Sequence, residues 1–153
     1  MGNPRNMSGD GGFSVYLYAD HENWSEVTIN GIKAKVVKNI SDPQGIHTSL
    51  PLASGKSDMY LRLDKFGNPT QARVYNGRMG TLDFDWGHEH YNNPGKGGDG
   101  KKFAKGVVHV QEYHYKQDGT VDRISQNARL MSESEIKLFG DILKHFNPKV
   151  KFK

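Results

Sequence analysis

The chain has 153 residues, a formal net charge of +4 and a mean hydropathy of −0.75. That length suits one domain with a modest core, and no apolar run reaches the roughly 18 residues of a membrane-spanning helix. The absence of cysteine excludes a disulfide scaffold, a thiolate metal site and a cysteine nucleophile, while the basic balance favours acidic partners such as nucleic acid, an acidic protein or an anionic surface.

Residues 1–12 lack the apolar core of a secretion signal and read as a flexible leader, with a single globular domain expected over 13–153. Phe13 to Tyr18 is aromatic and β-branched, hence a predicted strand. Val27 to Ile29 and Ile32 to Val37 flank Asn30-Gly31, a strong hairpin signal. Residues 41–58 show little periodicity and predict a loop. Met59 to Leu63, Gln71 to Tyr75 and Thr81 to Trp86 alternate as strands, separated by turns containing Gly67 and Gly77.

Residues 92–102 predict a loop, and within it Lys96 to Lys102, with Lys105 beyond, reads as a mobile basic flap. Val107 to Tyr115 is a long predicted strand, and Gln117 to Thr120 turns it onto Val121 to Ile124. Ser132 and Glu135 make a capping box, and Ile136, Phe139, Ile142 and Leu143 follow at helical spacing until Pro148, leaving a basic tail with Lys149, Lys151 and Lys153. Strands first and one amphipathic helix last predict an α+β domain: a mainly antiparallel sheet of about six to eight strands with a C-terminal helix on it.

Strand parity separates structural residues from those left for chemistry. Leu82, Phe84 and Trp86 face one way, Asp83 and Asp85 the other; likewise Val108 and Val110 oppose His109, Gln111 and Tyr113. Pairing across the turn places Arg73 opposite Asp83 and Gln71 near Asp85. Such a pair can floor a site with Arg73 as anion binder. Spacing alone favours a solvent-facing ion pair worth under about 1 kcal/mol.

His88 and His90 follow the Asp strand, and His109 lies on the next long one. His-x-His in extended chain puts two rings on one side, a usable metal-ligand spacing, and Asp83, Asp85 or His109 would complete a mixed N/O set for zinc or a similar divalent ion. The same histidines can work without any cofactor as general base and general acid, or they are simply wet loop residues. Lys101, Lys102 and Lys105 can hold a phosphodiester backbone, and Tyr113 can stack on a base or donate to a phosphate.

Phe66-Gly-Asn-Pro-Thr-Gln-Ala-Arg-Val-Tyr75, Leu82-Asp-Phe-Asp-Trp86, His88, His90 and His109-Val-Gln-Glu-Tyr113 together resemble the C-terminal toxin domains of bacterial polymorphic toxin systems, polymorphic toxin type 24 in particular. The resemblance spans about residues 60–115 and points to Arg73, Tyr75, Asp83, Asp85, His88, His90 and His109. It implies a secreted effector delivered into a target-cell cytoplasm, a nuclease activity directed at RNA, and a cognate immunity protein. The chain departs from the pattern at Gln111, where a second histidine is expected.

Taken together, the expectation is a ribonuclease toxin domain, monomeric and carried by a larger protein. His88, His90, His109 and Arg73 would be catalytic, and Tyr75, Gln111, Tyr113 and the three lysines substrate-binding. The alternatives are a metal-dependent nuclease on Asp83, Asp85, His88 and His90, and a non-catalytic partner-binding module of a toxin–immunity system.

Overall fold

Asn30 and Gly31 take positive φ angles of 53° and 78°, the geometry a two-residue hairpin turn requires. They join strand β1 (Ser25–Ile29) to β2 (Ile32–Val37) with Ile29 opposite Ile32. The computed structural model describes residues 25–37, 50, 57–64, 66–77 and 79–153. The leader, the Phe13 to Tyr18 strand and most of the 41–58 loop lie outside these residues.

β3 (Met59–Leu63), β4 (Pro69–Asn76) and β5 (Met79–Asp85) form an antiparallel meander. A separate two-stranded ribbon joins β6 (His90–Tyr91) to β7 (Lys102–Phe103). β8 (His109–Tyr115) adds antiparallel to β5, and β9 (Val121–Ile124) and β10 (Arg129–Leu130) both pair with β8. The result is an eight-stranded sheet in the order β1-β2-β3-β4-β5-β8-β10, with β9 also on β8. Among the described strands of this sheet, only β2 with β3 pairs in parallel.

The α+β architecture is the one the sequence predicts. Helix α1 (Glu133–Phe146) begins at Ser132, whose side chain accepts from Glu135 N while Glu135 reaches back to Ser132 N. Its Phe139, Ile142 and Leu143 bury against Phe84, Val108, Val110, Leu61 and Ala72 on one face of the sheet. Phe84 and Phe139 sit 5.4 Å apart between ring centroids. Arg129 fixes the helix start from the side, holding Glu135 through two nitrogens at 2.7 and 2.9 Å and Glu112 through a third at 3.1 Å.

Three expectations need correction. β8 begins at His109 rather than Val107, because Val107 and Val108 turn to the C-terminal segment: Val107 bridges Lys151, and Val108 N donates to Lys151 O at 2.8 Å. The stretch after Pro148 is therefore not a free basic tail; Val150 is buried in the core. Residues 92–102 are not an unanchored flap either. Asn92 and Lys101 pair through their backbone at 2.9 Å, Gly100 N and Gly98 N donate to Asn92 O and Asn93 O, and Asp99 N donates to the Asn127 side chain. A short 3-10 turn (Pro94–Lys96), capped by Asn93, fills the middle.

Candidate active site

With the helix on one face, the other face of the sheet carries the polar residues in register. One row runs Arg62, Gln71, Asp85, His109 across β3, β4, β5 and β8; the next runs Tyr60, Arg73, Asp83, Gln111. The two rows differ in what they do.

The second row is a closed network. Arg73 Nε and Nη2 donate to the two Asp83 oxygens at 2.6 and 3.0 Å, Nη1 donates to Leu50 O at 2.7 Å, and Nη2 also reaches Tyr113 Oη at 2.8 Å. Tyr113 Oη donates to Asp83 Oδ2 at 2.8 Å. Arg73 and Asp83 are 7% and 8% exposed, so the expected solvent-facing pair is a buried one. Burial works against the Arg73 charge, yet the Asp83 carboxylate outweighs it and holds the guanidinium above its ordinary range. Burial pushes the Tyr113 phenol up as well. The donors of Arg73 and the hydroxyl of Tyr113 are thus engaged within the fold. Tyr75 is buried edge-on to Tyr60 at 5.2 Å in a small core with Leu50. These three residues support the site rather than face a substrate, and Asp83 is committed to Arg73 rather than available to a metal.

The first row ends in a histidine cluster. The chain leaves β5 through Trp86, whose Nε1 donates to Pro69 O at 2.9 Å, and Gly87, then curls back over the sheet. That return brings His88 and His90 onto His109: ring centroids lie 5.6 Å apart for His88 and 4.9 Å for His90, the latter nearly parallel at 22°. Phe103, from the paired strand of the ribbon, stacks on His109 at 5.7 Å. His109 is 2% exposed and its Nδ1 makes no hydrogen bond among the described residues. Burial pushes its pKa below the ordinary imidazole value; the Asp85 charge opposes this, neighbouring His90 and His88 add to it, and the Val107 backbone opposes it.

Hydrogen bonding fixes which nitrogens carry protons. Asn92 is 2% exposed; its Nδ2 donates to Ala128 O at 2.9 Å and Asp99 Oδ1 at 3.1 Å, and its Oδ1 accepts from Ala128 N at 3.0 Å. The amide orientation is set by these partners, so His90 Nε2, 2.9 Å from Asn92 Oδ1, must be the protonated nitrogen. In the neutral ring the lone pair then lies on Nδ1. His88 Nδ1 donates to Glu89 O at 2.7 Å, leaving Nε2 towards Asp85 Oδ2 at 3.4 Å. Nε2 is thus the His88 atom that faces the carboxylate. Asp85, His88 and His109 each offer a ligand atom within 4.8 Å of the others, a group that can hold a metal.

Parity and the hairpin signal are enough to place Asp85, His88, His90 and His109 in one region. They do not reveal Arg62, which lines a shallow cavity of about 280 Å³ with Gln71, Asp85 and His88. Arg62 Nη1 lies 3.4 Å from Gln71 Oε1. Its parity on β3 puts it on the polar face, but its meeting with Asp85 depends on the β3–β4 register. Asn92 and Phe103 are equally hidden, since their roles come from the ribbon pairing. Of the three lysines, Lys102 lies over the Tyr91 ring at 5.3 Å, and Lys105 lines a neighbouring cleft. Lys101 is exposed beside Asp99, with its backbone N donating to that carboxylate at 3.0 Å. Gln111 is half-buried opposite Asp83.

Comparison with family models, with curated proteins and with solved structures yields no match to this chain. No helix among the described residues is long and apolar enough to cross a membrane.

Proposed function

We propose that this chain is a phosphodiester-cleaving domain, a ribonuclease that works through His88 and His90 without a metal. The observation that carries the reading is the convergence of three histidines from two separate segments beside Asp85 and Arg62. The 2′-OH attacks the adjacent phosphorus, His90 Nδ1 takes its proton, and the bond to the 5′-oxygen breaks as His88 Nε2 donates a proton to that leaving oxygen. The product ends are a 2′,3′-cyclic phosphate and a 5′-OH. Asp85 Oδ2, 3.4 Å from His88 Nε2, orients that ring for the step. His109, kept neutral by burial, fixes the rings by stacking. Arg62 takes the place assigned to Arg73 and meets the charge that develops on the non-bridging oxygens. General acid–base roles of this kind are worth about 10²–10⁴-fold each.

The resemblance to polymorphic toxin domains supports the same chemistry. It adds delivery by a larger protein into a target cell and neutralisation by a cognate immunity protein. Incubating the folded protein with tRNA and total RNA, with and without EDTA, tests the reading. Cleavage in both is expected, and intact RNA in both would sink it.

A second reading has its own support. The Asp85, His88 and His109 ligand atoms suit zinc or a similar borderline divalent ion. The metal would sit on that triad, not on Asp83 or on His90, whose Nε2 is bound to Asn92. Bound there it would activate water or polarise the phosphate. Stoichiometric metal by elemental analysis of protein purified without a metal-affinity step, with cleavage abolished by EDTA, would favour it over the metal-free route.

A further inference from the structure

The shallow cavity at Asp85 and His88 does not end there. It shares Asp64, Thr70 and Gly87 with a larger cleft of about 570 Å³ between the β3–β4 turn and the C-terminal segment. That volume falls in the roughly 300–1,000 Å³ range of small-ligand sites. The two adjoin at Gly87, where an added Cβ would lie 2.6 Å from Thr70 Cβ, so glycine lets the chain leave β5 tight against β4.

The cleft has the chemistry of a nucleotide site. Trp86 and Phe146 line its apolar side, and Phe66 stands at its mouth with 77% exposure. Lys105 and Lys149, both exposed, also line it and supply positive charge. Among the described residues Asp64 is the one carboxylate lining it, and the turn uses it: its Oδ1 accepts from Phe66 N and Asn68 N, each at 2.9 Å, and so holds the Phe66 backbone in place. An aromatic platform with flanking lysines is how single strands are bound without sequence readout.

Resting on the ribonuclease reading, we propose that this cleft is the subsite for the nucleotide flanking the scissile phosphate, with its base against Phe66 and its phosphate between Lys105 and Lys149. The RNA strand then runs from Arg62 and His88 over Gly87 into the cleft. Lys105 joins the site by this route rather than through the 92–102 loop.

The test is binding of an uncleavable 2′-O-methyl hexaribonucleotide, followed by calorimetry and by amide chemical shifts. Phe66→Ala is expected to weaken binding about tenfold. A Lys105→Ala, Lys149→Ala double variant is expected to weaken it at least as much and to lower the salt-dependence slope by about 0.7 for each phosphate no longer neutralised. Shifts should run from Gly87 to Lys149. Full affinity in both variants, with shifts confined to His88, His90 and His109, overturns the cleft and leaves the ribonuclease reading standing. No binding by a protein that also fails to cleave RNA overturns both.

Discussion

Arg73 and Asp83 meet as a two-point pair, 2.6 and 3.0 Å across β4 and β5, with both side chains largely buried. Removing one partner from a buried pair leaves the other charged and alone, at a cost of about 3–5 kcal/mol. Arg73→Ala should therefore lose stability on that scale in urea unfolding, and Arg73→Met combined with Asp83→Leu should recover part of it. A loss under about 1 kcal/mol in the single variant, the scale of an exposed pair, would show that the pair is not buried as described.

Arg62 offers the contrast. It lines the same cavity as Asp85 and His88, outside the Arg73 network. Arg62→Ala should lower RNA cleavage by about tenfold or more, with a much smaller fall in unfolding midpoint than Arg73→Ala. Unchanged cleavage would remove Arg62 from the site.

Asn92 is expected to set the tautomer of His90. With its amide held by Ala128 and Asp99, its Oδ1 can only accept, so neutral His90 carries its proton on Nε2. Nitrogen-15 shifts of the imidazole should report that form in the wild type. Asn92→Ala should give a tautomer mixture and cut cleavage by about tenfold or more. An Nδ1-protonated ring in the wild type would contradict the assignment, whatever the enzyme does.

His109 makes stability depend on pH in a defined direction. Its pKa is lowered in the fold from 6.5, chiefly by burial. The unfolded chain therefore binds the proton more readily, and stability falls as pH drops below about 6.5 until the folded group also titrates. Urea midpoints measured from about pH 8 to about pH 5 should decline, and the decline should be shallower in His109→Phe. A steeper dependence in that variant would refute the sign.

Gly87 is predicted to tolerate no side chain. The clash with Thr70 at 2.6 Å must be relieved by moving strand backbone or the Thr70 side chain, at about 1–3 kcal/mol for overpacking. Gly87→Ala should lower the thermal midpoint and also misplace His88, so cleavage falls further than stability alone explains.

Much of this arrangement is legible from strand parity. Asn30-Gly31, the Leu82-Phe84-Trp86 face and the Ser132–Glu135 cap each declare themselves through local rules, and Arg73 opposite Asp83 follows from the turn between their strands. What parity does not convey is cover. An alternating strand shows which face a residue is on, not whether another segment lies over it. That is why Arg73 and Asp83 read as a surface pair, and why His109 does not announce that Phe103 and His90 enclose it. The ribbon of β6 and β7 supplies the cover, and with two residues per strand it carries almost no periodic signal. The C-terminal lysines mislead for the same reason: Val150 between them is the residue that packs.

The proposed chemistry stands or falls on His88 and His90 moving the 2′-OH proton. A short RNA with one 2′-deoxy residue at an otherwise cleaved position, incubated in EDTA and followed by mass spectrometry, is the most direct probe. Every cleaved linkage should end in a 2′,3′-cyclic phosphate, the deoxy position should stay intact, and His88→Ala and His90→Ala should each lose the products. Cutting at the deoxy position, or full activity in both variants, would refute proton transfer by these two histidines.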